Sequence, residues 1–247
     1  MKTQKLSLNL LALCLTYLLS GSLASVSLCA EAAEEARSRI DNPLFGYTHL
    51  LQSPLTLPAG RLALGTSVAL GVTDFLQVST DILRDAYSVF NAQAKLMLVN
   101  SESFALGAFV GFESYNYNSF DANNPDLRVN SWLPGIIAAI EVIPDVALFL
   151  GGNLNYTSTQ LITSGISTSG YVQGASAESD ISWAYNPHRN RIGNVLSAGV
   201  SYDFTYQIYG VGVSHHFPGF HVGIHYYPNA TQYRVQPIIS GGAAVDL

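Results

Sequence analysis

The 247-residue sequence predicts an all-β fold, a transmembrane antiparallel up-and-down β-barrel of about ten strands, with twelve as the alternative count. Three observations predict it. Apolar side chains recur with a period of two from Gly60 almost to the C-terminus, the signature of strands with two unlike faces. Charged residues make up 11% of the chain, against roughly 25% in soluble domains, and the mean hydropathy is +0.23. A soluble protein so poor in charge cannot cover its surface, whereas one with a lipid-facing band needs few charges. Third, the N-terminus carries the pattern of an export signal.

That signal is read as residues 1–24. Lys2 and Lys5 form a positive head, Leu6 to Leu19 an apolar stretch, and Ser22 and Ala24 occupy the small-residue positions of a cleavage site; cleavage after Ala30 is the alternative. Residues 25–59 form an N-terminal arm, charged from Glu31 to Arg39 and broken at Asp41-Asn42-Pro43. Residues 60–247 are the barrel. The two cysteines, Cys14 and Cys29, fall in or beside the signal, so no internal disulfide framework is expected. Leu28 stands where lipidation of Cys29 would need a small residue.

The first barrel segment sets the rule. Leu62, Leu64, Thr66, Val68, Leu70 and Val72 share one face, and Arg61, Ala63, Gly65, Ser67, Ala69 and Gly71 the other. A helix would scatter both sets around its circumference. Leu76 to Ile82, Phe90 to Leu98, Phe104 to Glu113, Trp132 to Val142, Val146 to Asn155 and Leu196 to Asp203 follow the same rule. Segments around Gly210 to Ser214 and Val222 to Tyr226, and a last one from Tyr233 to Leu247, complete the ten. The less apolar face is mostly Gly, Ala, Ser and Asn, as a crowded polar lumen requires, while a soluble sandwich would place abundant charge there. Trp132 to Gly152 is apolar enough to suggest a spanning helix, but Glu141, Pro144 and Asp145 at its centre mark a hairpin turn.

Turns at Val72-Thr73-Asp74, Ser101-Glu102-Ser103 and Ile143-Pro144-Asp145 are short. The connections Ser119 to Asp126 and Thr157 to Arg191 are long and polar. If the short turns are periplasmic, ten strands beginning at Gly60 leave the C-terminus on the wrong side. Tyr47 to Leu57 as an extra strand, an external short turn, or a part of Thr157 to Arg191 joining the sheet would each resolve this.

With these features the chain resembles the bacterial outer-membrane β-barrel class over residues 60–247. The resemblance implies a Gram-negative outer membrane, contact with its lipid and lipopolysaccharide, and insertion by the barrel-assembly machinery. The closing strand of that class alternates and usually ends in an aromatic residue. Here Ile239, Gly241, Ala243, Val245 and Leu247 alternate and the last residue is Leu. The resemblance points to no particular functional family.

Charged side chains expected to face the lumen are Arg61, Asp81, Lys95, Glu113, Glu141 and Arg234. They could set the ion preference of a narrow, porin-like pore or pair with one another and fill it. A channel of porin width needs roughly 16 strands. His215, His216, His221 and His225 with Ser214 suggest a rim hydrolase or a metal cluster, although no GxSxG elbow accompanies them. The plainer reading is solvated histidines at the Phe217-Pro218-Gly219 bend. Tyr115, Tyr117, Phe120, Trp132, Trp183, Tyr202, Phe204, Tyr206, Tyr226 and Tyr227 form an interfacial girdle. A net charge of −6 without any basic patch excludes nucleic acid. The expectation is a non-enzymatic outer-membrane barrel without cofactor, acting as a structural protein, a narrow small-solute pore or a surface-binding protein. The alternatives are a hydrolase or lipid-modifying enzyme and an exported soluble ligand-binding barrel.

Overall fold

The structure is a computed structural model that describes residues 43–82, 89–117, 126–163, 166–185, 194–217, 220–231 and 234–246. The expected signal peptide and residues 25–42 of the arm lie outside them. Twelve strands follow a short 3-10 helix at Pro43–Gly46: β1 (Arg61–Gly65), β2 (Ser67–Thr73), β3 (Leu76–Asp81), β4 (Val89–Asn100), β5 (Phe104–Tyr117), β6 (Asp126–Ile143), β7 (Val146–Thr163), β8 (Ile166–Tyr185), β9 (Asn194–Asp203), β10 (Ile208–Phe217), β11 (Phe220–Tyr226) and β12 (Val235–Asp246). Each pairs antiparallel with its neighbour in the chain, and β1 also pairs with β12, so the ladder returns to its first strand. That closing ladder is short, running only from Arg61↔Asp246 to Gly65↔Gly242. No described helix is long and apolar enough to cross a membrane; the strands cross instead.

The strand count is the alternative of twelve, two more than the ten segments read from the sequence, for two reasons. The segment read as one strand from Leu62 to Val72 is a hairpin turning at Thr66, with Leu62↔Leu70, Ala63↔Ala69 and Leu64↔Val68 in register. Partners across an antiparallel ladder share a face, and here even-numbered residues pair with even-numbered ones. The alternation therefore runs through the turn unbroken and looks like a single strand. The second reason is that residues 157–191, expected as a loop, are largely strand, in the end of β7 and in β8. Residues 166–173 of β8 are exposed on both faces, so they carry no apolar–polar contrast to read. The segment from Tyr47 to Leu57 is not a strand.

The connections sort by end. Two, three, two, eight and two residues link the pairs β2–β3, β4–β5, β6–β7, β8–β9 and β10–β11 at what we call the turn end. The chain enters β1 and leaves β12 at this same end, which removes the parity conflict. At the opposite, loop end, links of seven, eight and eight residues join β3–β4, β5–β6 and β11–β12, and links of one, two and four residues join β1–β2, β7–β8 and β9–β10.

The two faces of the wall differ as an embedded barrel requires. Leu64, Phe90, Val110, Trp132, Ile136, Trp183, Val200, Val213 and Ile239 point outward and are exposed, while Ala105, Ile137, Phe149, Asp180, Ser182, Ser197 and His225 point inward and are buried. Phe90, Phe112 and Trp132 lie side by side across β4, β5 and β6, with ring centroids 6.3 and 4.8 Å apart, a stretch of the expected aromatic girdle. The wall is cut obliquely. β6, β7 and β8 have 18, 18 and 20 residues, whereas β1, β2 and β3 have 5, 7 and 6.

Candidate functional site

Side chains of the wall alone do not fill the lumen, because residues 43–60 occupy its turn-end half. The 3-10 helix places Leu44 and Phe45, 3% and 0% exposed, among Ala105, Ile137, Ala139, Ala147, Phe149, Ala184 and Val195. Those wall residues sit near the turn end of β5 to β9, so the packing forms an apolar cap across that mouth. Burial of each large side chain contributes about 1.5–3 kcal/mol. The segment then climbs to His49–Leu51 and descends through Pro54 and Thr56. At the bottom, Thr56 Oγ1 donates to the Asp74 carbonyl (2.7 Å) and the Ala59 N–H to the Asp74 carboxylate (2.9 Å). Wall glycines make room for it: a Cβ on Gly107 would meet the Pro54 carbonyl oxygen at 2.8 Å.

Polar anchors fix the top of the climb. One carboxylate oxygen of Asp180, on β8, accepts the backbone N–H groups of His49, Leu50 and Leu51 at 2.9, 3.1 and 3.1 Å. Charge-assisted bonds of this kind are stronger than neutral ones. Ser182, also on β8, donates to the Tyr47 carbonyl at 2.7 Å and pairs with Ser197 at 2.7 Å. Lys95 Nζ donates to the Ser53 carbonyl at 3.2 Å. His49 Nε2 lies 3.0 Å from His225 Nδ1, and His225 Nε2 lies 2.9 Å from Ser201 Oγ. His49 belongs to the luminal segment and to no spanning strand. Burial, with His225 and His221 adding to it, lowers its pKa from 6.5 to about 4.

Above this segment lies a cup of about 1010 Å³, floored by residues 46–53 and lined by Gln77, Ser79, Asn91, Gln93, Glu113, Asn153 and Glu178 among others. His216 and His221 line it too, their rings stacked with centroids 3.9 Å apart and planes at 12°.

The expected lumen charges are placed as follows. Arg61 and Lys95 are buried, and Asp81, Lys95 and Glu113 line the cup. Glu141 sits near the turn end of β6, opposite Ala147. Arg234 lies outside the strands, before β12, and donates to the Ala230 carbonyl at 2.8 Å. Of the four late histidines, His216, His221 and His225 face inward, whereas His215 contacts Tyr185 and Phe217, side chains of the outer face. No group of three or more metal-ligating side chains forms among the described residues. Sequence reasoning missed three site residues. Glu178 and Asp180 fell inside the supposed loop. His49 fell inside the arm, where the run Leu44, Phe45, Tyr47, Leu50 and Leu51 was a signal of burial.

An antiparallel up-and-down barrel with an apolar outer face and a polar, occupied lumen is a transmembrane β-barrel of the outer-membrane class. No family model matches the chain, and no curated protein matches it. Among solved structures, 69% of the chain is similar to 41% of BamA from Haemophilus ducreyi lacking POTRA domains 1–3, with 13% identity and a TM-score of 0.39. Neisserial surface protein A (NspA) is similar over 76% of this chain and 98% of its own, with 13% identity and a TM-score of 0.27. The chain thus spans less than half of that BamA chain. Similarity at this level carries no functional inference.

Proposed function

We propose that the protein is a plugged, non-conducting outer-membrane barrel that binds a ligand in a cup open to the cell surface. The observation that carries this reading is the luminal segment: the Leu44–Phe45 cap covers the turn-end mouth, while the cup opens at the loop end. Short turns are periplasmic in barrels of this class, which directs the cup outward. The test is conductance. Full-length protein, isolated from outer membranes and verified by its heat-dependent gel shift, is expected to give no steady current in planar bilayers. A stable open-channel current would sink the plugged reading in favour of the narrow pore.

The hydrolase reading loses its nucleophile. Ser214 Oγ is buried without a hydrogen-bond partner among the described residues, so His216 does not activate it. A serine–histidine contact does occur at Ser201 and His225, but Gly210 packs so tightly on both side chains that even a Cβ there would collide with them. Gly210 closes that side of the pair, and His225 joins the luminal segment to the wall through His49.

A further inference from the structure

β8 is 20 residues long, whereas a tilted spanning strand needs roughly 9–11. Counted from Tyr185 at the turn end, the bilayer takes the lower half, and residues 166–174 stand clear of it. β7 covers one side of this upper half in unbroken register from Thr163↔Ile166 downward. β9 covers the other side only from Ser176↔Asp203 downward. The last bonds on that side belong to Ala175. Its carbonyl accepts the Phe204 N–H at 2.9 Å, and its N–H donates to Thr205 Oγ1 at 3.2 Å. Above Ala175 the strand has a bare edge among the described residues, and the two-residue β7–β8 link is too short to fold back along it.

Parity says which groups are bare. In an antiparallel ladder the N–H and C=O of one residue point to the same side, and the side alternates along the strand. Ala175 points towards β9, so Ser167, Ser169, Tyr171 and Gln173 point to the open side. They offer eight backbone groups in a row about 20 Å long. Proteins ordinarily blunt such an edge with lysine, proline, an inward charge or a bulge. Residues 166–175 contain no charge and no proline, and their register with β7 has no bulge. Beside the edge, Ile166 and Val172 are 71% and 45% exposed, and Leu161, the β7 partner of Thr168, is also exposed. These three share the face that carries Asp180 and Ser182 lower in the wall. Ser167, Ser169, Tyr171 and Gln173 share the other.

A row of backbone donors and acceptors selects another extended backbone, and Leu161, Ile166 and Val172 select apolar side chains at its alternate positions. A second copy of this chain fits poorly. Copies in one membrane run β8 in the same direction, and a two-fold along the membrane normal brings each residue level with itself. N–H then faces N–H, where a parallel ladder needs a one-residue offset. We propose that the β8 edge is a docking site for an extended, uncharged peptide strand of another protein, which adds to the sheet beside residues 167–173. The edge lies outside the cup, and the proposal does not depend on the cup's ligand.

The test uses the full-length barrel in detergent micelles and a synthetic peptide with the sequence of residues 156–163, the strand that β8 already accepts on its other side. Amide exchange is read residue by residue. Millimolar peptide is expected to slow exchange at Ser167, Ser169, Tyr171 and Gln173 about tenfold. Thr168, Gly170 and Val172, which parity turns towards β7, should not change. Docked in the register that β7 uses, the peptide turns the N–H groups of Ser158 and Gln160 towards β8 and those of Thr157 and Thr159 away. A peptide N-methylated at the first pair should lose the effect, and one methylated at the second pair should keep it. Tyr171→Pro deletes an edge donor that β7 does not use, and should abolish the slowing. The methylated peptides keep the test decisive if that variant misfolds. Exchange already slow at those four amides in the free protein would mean that the chain covers its own edge. Slowing that grows with protein concentration alone would mean that a second copy covers it. Either result overturns the proposal, as does equal slowing by the two methylated peptides or none by the unmodified one.

Discussion

His49 Nε2 and His225 Nδ1 lie 3.0 Å apart, one ring carried by the luminal segment and the other by the barrel wall. A single proton can sit between them, so one ring donates and the other accepts. When both nitrogens carry protons the contact becomes repulsive. The luminal segment is thus joined to the wall by a bond that is lost when both facing nitrogens are protonated.

Acid should therefore loosen the segment. In the seated state the His49 pKa is lowered from 6.5 to about 4, so the released state binds the proton more readily. The seated state is favoured fully above pH 6.5 and loses ground as the pH falls from there towards 4. Protease cleavage within residues 43–60 should rise across that window in the wild type and change little in His49→Gln. Identical pH profiles for the two proteins would refute the assignment to His49.

Asp180 holds the apex through three N–H groups, and Asp180→Ala strands all of them. The expected loss of local stability is about 3 kcal/mol, which speeds exchange of the His49, Leu50 and Leu51 amides by roughly a hundredfold. Hydrogen exchange resolved by residue measures this directly. Unchanged protection would mean that apolar packing alone seats the segment.

The cap should behave as a core. Phe45 is fully buried, and Phe45→Ala leaves a cavity worth about 3–5 kcal/mol. Flickering current in planar bilayers is the expected readout, with the heat-dependent gel shift preserved because the wall ladder is untouched. A variant as silent as the wild type would show that the cap does not seal the mouth.

Close approach at Gly107 offers a test from the wall side. Gly107→Val would place its Cβ 2.8 Å from the Pro54 carbonyl oxygen and 3.0 Å from the Pro54 Cα, and this backbone cannot yield by a rotamer change. Protease sensitivity of residues 43–60 should increase in detergent-solubilised protein while β4, β5 and β6 stay protected. Resistance equal to the wild type would place Pro54 elsewhere.

The wall was largely legible in the sequence because a lipid-facing strand needs large apolar residues at alternate positions. Leu196, Ala198 and Val200, or Leu148 and Leu150, announce themselves. Where that demand lapses, so does the signal. Residues 166–173 meet solvent on both faces, and the β1–β2 hairpin preserves face parity through Thr66, so one strand went unseen and two were merged. The site was less legible than the wall. Three inward histidines could be placed on their faces by counting, but His49, the partner of His225, comes from 176 residues away. Around His49 only the apolar run Leu44, Phe45, Tyr47, Leu50 and Leu51 hints at a buried segment, and it does not say what His49 meets. Asp180 looked like one more loop acid, because its role is to accept backbone N–H groups from a distant segment, and period-two reasoning has no access to that.

The five-pair seam between β1 and β12 also imposes an order on biosynthesis. Arg61 pairs with Asp246, so the first strand to leave the ribosome finds its outer partner only when the last has arrived. Loop-closure entropy makes such a contact late and slow. Residues 43–60 run directly into β1, and most of their seat is built from β4 to β11. The nascent N-terminal portion must therefore wait unsatisfied until most of the wall is assembled, and the seam then shuts beside a lumen that is already occupied. A chain truncated before β12 would lose more than an edge strand, because the step that commits the N-terminal segment to its interior position would be missing.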